Sequence, residues 1–99
     1  MTPEGDFKAK LQNELRVMFP GCVIMKNDSQ CIQGIPDMLI LYKTHWAMLE
    51  TKAYAKAKKE PNQPYWVDKL NAMSFAAFVS PENKKEVLRD LQRAFQLGG

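Results

Sequence analysis

The sequence predicts a mixed α/β domain with elements in the order α-β-β-β-α-β-α, a mixed sheet with helices packed on its faces. Three observations carry this. Apolar residues recur at helical spacing near both ends of the chain and once in its second half. Short apolar runs lie between those segments, bounded by Gly, Pro and polar clusters. Finally, 99 residues suffice for one hydrophobic core and not for two, so a single domain over 1–99 is expected. The balance of hydrophobic and charged residues is that of an ordinary folded protein, with no repeat or low-complexity stretch.

The first helix is marked by Thr2 as N-cap, Pro3 at the first helical position, and Phe7, Leu11, Leu15 and Met18 on one face; it ends at Phe19-Pro20-Gly21. Cys22-Val23-Ile24-Met25 is short and β-branched and reads as a strand, followed by the polar loop Lys26-Asn27-Asp28-Ser29-Gln30. Gly34-Ile35-Pro36 interrupts the chain before Asp37–Tyr42, whose apolar run predicts a strand buried on both faces. Lys43-Thr44-His45 is a short turn, so Trp46–Lys52 returns as the antiparallel partner. Trp66, Leu70 and Met73 set the spacing of a second helix that begins at Gln63. Phe75–Val79 is a further short strand. Ser80-Pro81-Glu82 opens a last helix, with Val87, Leu88, Leu91, Ala94 and Phe95 as its inner stripe.

Several function classes drop out. No apolar run approaches the roughly 18 to 20 residues that span a bilayer, and the acidic N-terminal stretch lacks a signal peptide's apolar segment. An intracellular, cytoplasmic protein is expected. Cys22 and Cys31 make neither a disulfide framework nor a zinc quartet and read as reduced thiols. With His45 the only histidine, a His-based zinc site or a Ser-His-Asp triad lacks parts. A formal charge of +3 leans towards polyanions. Its distribution says more, because Lys52, Lys56, Lys58 and Lys59 follow one another with no acid between them.

Side chains alternate along a strand, so Glu50 and Lys52 share a side. Closing the hairpin at 43–45 brings Asp37 beside them. Taken singly, Asp37 is a turn residue and Glu50–Lys52 an edge ion pair. Together they form two hard oxygen donors and an amine at one sheet edge, a set suited to Mg²⁺, to a phosphoryl oxygen and to an attacking water. Lys52 would orient that water, help deprotonate it or stabilise developing negative charge.

Gly34-Ile35-Pro36-Asp37, then Glu50-Thr51-Lys52, then Gln63 and Trp66 resemble the PD-(D/E)XK nucleases, in particular their VRR-NUC branch. The opening Thr2-Pro3-Glu4-Gly5 is similar to small phage-type members, and the element order to the restriction-endonuclease-like core. The resemblance implies a metal-dependent endodeoxyribonuclease. Asp37, Glu50 and the Thr51 backbone carbonyl would hold Mg²⁺, with Mn²⁺ able to substitute; Lys52 would be catalytic, and Gln63 would support it. The family also uses a first-helix glutamate, for which Glu4 is preferred and Glu14 is the alternative. Where members often carry a glycine before the fourth strand, this chain has Met73-Ser74. Small members act as homodimers on branched DNA such as Holliday junctions or flaps, in the host cytoplasm if phage-encoded. Lys56, Lys58 and Lys59, with Lys26 and Asn27 across the site, are the candidate DNA contacts. No base-reading helix is evident, which favours structure selectivity. The competing readings are a sequence-tolerant or site-specific phage endonuclease on duplex DNA, a non-catalytic nucleic-acid-binding module, and a small structural protein.

Overall fold

The computed structural model describes residues 2–97; positions 1, 98 and 99 of the expected 1–99 domain lie outside the described residues. Helix α1 spans Pro3–Met18, followed by strands β1 (Val23–Lys26), β2 (Met38–Tyr42) and β3 (His45–Thr51), helix α2 (Gln63–Met73), strand β4 (Ala76–Val79) and helix α3 (Lys84–Leu97). The order is the expected one. Helix α1 begins as its sequence dictates: the Thr2 hydroxyl accepts from the Gly5 N–H at 3.0 Å, and Glu4 and Asp6 lie in the positive first turn. Replacing Thr2 with Ala is expected to cost about 1 kcal/mol, measurable as a shift in the urea midpoint.

One sheet holds the four strands in the order β1-β2-β3-β4. The first two pairings are antiparallel and β3–β4 is parallel, with α2 as the crossover. Strands β2 and β3 are joined through Lys43 and Thr44, with Tyr42 opposite His45. Lys43 takes the positive φ of 56° that so short a turn demands. His45 thus belongs to the strand, and the ladder stops one residue short of Asp37 at one end and of Lys52 at the other.

Helices α1 and α3 cover one face of the sheet, where Leu11, Leu15, Ile40, Ala47, Leu49, Val79, Leu88 and Leu91 form the main core. Helix α2 covers the other face, packing Val67 and Leu70 on Ala76, Trp46, Met48 and Phe78. An ion pair between Glu14 and Lys84, at 2.6 Å, links α1 to α3. Both cysteines are free thiols.

Two expectations need correction. Strand β2 is buried on one face only: α2 packs on β3 and β4, leaving Leu41 38% exposed beside Val23 of β1. The last helix does not open at Ser80-Pro81-Glu82, because Asn83 takes over the turn. Its Oδ1 accepts from the Ser80 N–H at 2.8 Å, its Nδ2 donates to the Phe78 carbonyl at 3.0 Å, and its own carbonyl accepts from the Val87 N–H at 3.0 Å. Residues 81–83 form a turn and the helix starts at Lys84. Among the described residues, no helix is long and apolar enough to cross a membrane.

Candidate active site

The pairing of Met38 with Leu49 continues by one step beyond the ladder and sets Asp37 against Glu50. The Asp37 N–H donates to Glu50 Oε1 at 3.2 Å. From the other side, Asn27 fixes this segment: its Nδ2 donates to the Pro36 carbonyl at 2.8 Å and its N–H to the Asp37 carbonyl at 2.9 Å. Thr51 grips the Asp37 carboxylate twice, its hydroxyl donating to Oδ2 at 3.0 Å and its N–H to Oδ1 at 3.4 Å. Lys8, from α1, places its ammonium 2.5 Å from Oδ2.

Glu50 and Lys52 are nearly buried, at 7% and 8% exposure. Strand alternation turns both towards α2, where Gln63 completes the arrangement. The Lys52 ammonium donates to Gln63 Oε1 at 2.9 Å and to the Lys58 carbonyl at 3.1 Å, and lies 3.8 Å from Glu50 Oε2. Gln63 Oε1 also accepts from the Glu60 N–H at 2.8 Å, so the first residue of α2 is locked in place. The start of α2 is in turn set by Gly34, which has φ 89°; a Cβ there would lie 2.7 Å from the Asn62 carbonyl carbon and Cβ. Asn62 is itself left-handed, with φ 71°.

Burial is the main reason that the Glu50 carboxyl is pushed up to about 7, with the Asp37 charge adding to it. Lys52 and the Asp37 N–H oppose the shift, and Glu4 adds a smaller upward push. A buried carboxyl beside a second carboxylate is an oxygen donor set that fits a hard divalent cation, whose charge would offset both burial and repulsion. Among the described residues no group of three or more His, Cys, Asp or Glu side chains is preassembled around one point. Any further ligands would be backbone carbonyl and water oxygens.

Asp37, Glu50 and Gln63 line a cleft of about 430 Å³, together with Lys8, Lys26, Asn27 and Glu60. Of the two first-helix acids, Glu4 is half-buried and close enough for its charge to be felt by Glu50, whereas Glu14 is paired with Lys84. Lys26 is exposed at the cleft, while the Asn27 amide is committed to Pro36. Lys56 and Lys58 are exposed on the loop beyond β3, outside the residues that line the cleft, and Lys59 lies over the Phe78 ring, 4.8 Å from its centre. Sequence reasoning missed Lys8 and the Thr51 hydroxyl, and read Gly34 as a chain break and motif residue without its close approach to Asn62. Lys8 lies four residues after Glu4, hence on the same helix face, which is the one signal that pointed to it.

A solved structure described as a VRR_NUC domain superposes on this chain with a TM-score of 0.67 at 20% identity, covering 81% of this chain and 85% of that one. The chain has a VRR-NUC-like fold. No protein-family profile and no curated protein matches the sequence. In this chain the mixed sheet and the α2 crossover bring Gln63 to Lys52.

Proposed function

We propose that this VRR-NUC-like domain is a Mg²⁺-dependent DNA endonuclease that hydrolyses phosphodiester bonds, acting as a homodimer with a preference for branched DNA. The reading rests on one observation, the opposition of Asp37 and Glu50 at the end of the β2–β3 hairpin beside a Lys52 ammonium oriented by Gln63. Asp37, Glu50 and the Thr51 carbonyl would hold Mg²⁺ or Mn²⁺, with Glu4 as the additional acid. When bound, the metal supplies Lewis acidity at the phosphoryl oxygen and lowers the pKa of a water ligand.

The chain's own residues do the rest. Thr51 orients the Asp37 carboxylate, and Asn27 holds the peptide that carries it. Glu50, buried, keeps its second oxygen directed at Lys52. Lys52 holds a fixed positive charge where negative charge develops on the phosphate, and Gln63 with the Lys58 carbonyl keeps that ammonium from swinging away. Lys26, Lys56, Lys58 and Lys59 would contact phosphates, giving a binding constant that falls steeply with salt. Contacts of that kind carry no base sequence and favour recognition by backbone shape.

Cleavage of an immobile four-way junction and of a plain duplex of matching sequence, each with Mg²⁺ and with EDTA, tests the reading. Faster junction cleavage and no cleavage in EDTA are expected. Preference for plain duplex would replace branched DNA with a sequence-tolerant duplex endonuclease, and undiminished cleavage in EDTA would remove the metal. Binding without cleavage of any substrate would leave a non-catalytic module.

A further inference from the structure

The Asp37 carboxylate is not open to a cation as it stands. Oδ1 accepts the Thr51 N–H, and Oδ2 accepts both the Thr51 hydroxyl and the Lys8 ammonium. The Thr51 donors are neutral and leave lone pairs on both oxygens. Lys8 is different, because a full positive charge sits against the carboxylate that a dication would need. Two cations on one carboxylate repel each other strongly. Lys8 is 29% exposed, Asp37 is 21% exposed, and the lysine stem is long and flexible, so the ammonium is free to leave. It lines the same cleft as Glu50, Lys26 and Gln63, and so remains beside the site after it lets go.

Resting on the metal-nuclease reading above, we propose that Lys8 is an exchangeable counter-ion. It neutralises Asp37 in the metal-free protein, is displaced when a divalent cation binds, and then carries its charge to a phosphate of the bound DNA. The exchange makes no covalent bond. It lowers metal affinity in the absence of DNA and couples metal binding to DNA binding, since phosphate gives the displaced ammonium a partner.

The test uses Lys8→Gln, with Lys8→Arg retaining the charge. Calorimetric titration with Mn²⁺ and Ca²⁺ in the absence of DNA should show both ions bound about tenfold more tightly by K8Q than by wild type, with K8R close to wild type. Junction binding, followed by fluorescence anisotropy across a salt series, should then separate two states. At saturating Ca²⁺, K8Q should bind more weakly, with a salt slope smaller by about one; in EDTA, where Lys8 stays on Asp37, the slopes should coincide. Unchanged or weaker ion binding by K8Q overturns the exchange. Equal slopes in Ca²⁺, or a slope difference that persists in EDTA, overturns the transfer to phosphate. If neither wild type nor K8Q binds either ion, the metal-nuclease reading falls and this proposal with it; if wild type binds and K8Q binds identically, only the role of Lys8 falls.

Discussion

Glu50→Gln is expected to cut Mg²⁺-dependent cleavage by about three orders of magnitude while making the metal-free protein more stable above pH 7. Removing a charged oxygen that would serve both the cation and Lys52 accounts for the first effect. The second follows from the titration. Burial and Asp37 raise the Glu50 carboxyl to about 7 in the folded protein from the ordinary 4.5. Between those values the folded state holds a proton that the unfolded state has released. Stability therefore declines as pH rises from 4.5 towards 7, and above 7 the whole cost of an ionised buried carboxylate is present. That cost is on the order of 3 kcal/mol as an upper bound, since Lys52 is already counted against it.

The amide of the variant carries no such cost, and its oxygen still accepts from the Asp37 N–H. Thermal melts in EDTA should show wild type and E50Q close together at pH 4 and separated at pH 8, with E50Q higher. Adding Mg²⁺ at pH 8 should raise the wild-type midpoint and leave the variant unmoved. A metal-free E50Q that melts below wild type at pH 8 would contradict the account, as would retained cleavage. Metal affinity should also weaken below about pH 7, where the cation must displace the Glu50 proton.

Gly34→Ala is expected to lower stability by about 2 to 3 kcal/mol and cleavage by one to two orders of magnitude. Two costs combine. The residue has φ 89°, a conformation that L side chains rarely adopt, and its new methyl would sit 2.7 Å from the Asn62 backbone. The obstruction is main chain, so it yields only if the start of α2 retreats. Gln63 is the next residue, and its side chain sets the Lys52 ammonium. A shift that loosens this contact misplaces the amine without touching either carboxylate. Single-turnover rates should therefore fall at saturating Mg²⁺ while Mn²⁺ affinity by calorimetry stays near wild type. A variant that melts lower and cleaves at the wild-type rate would confine Gly34 to a structural part.

The element order and the meeting of Asp37 with Glu50 were legible from local rules. Strand alternation, a short turn and the hydrophobic register suffice to put position 37 opposite position 50, because a slip of one residue would turn Ile40 and Leu49 out of the core. Helix α1 was legible for a similar reason, its cap and its apolar stripe lying within one segment. The start of α3 was misplaced because two good capping residues, Ser80 and Asn83, lie three apart, and only the carbonyl of Phe78 on the neighbouring strand decides between them. The Thr51 hydroxyl was not legible, Lys8 left only its spacing from Glu4, and Gly34 showed as a chain break and motif residue without its packing on Asn62. Each acts on a partner from a separate segment of the chain, and local pattern does not name that partner.

The carbonyl of Lys58 that receives the Lys52 ammonium belongs to the same loop that carries Lys56, Lys58 and Lys59. Traction on that loop, whatever the source, therefore reaches the amine directly through a main-chain oxygen, and again through the Glu60 N–H that holds Gln63. Under the proposed nuclease reading, grip and chemistry would be coupled mechanically, and how firmly the loop is held should govern how well the amine is aimed.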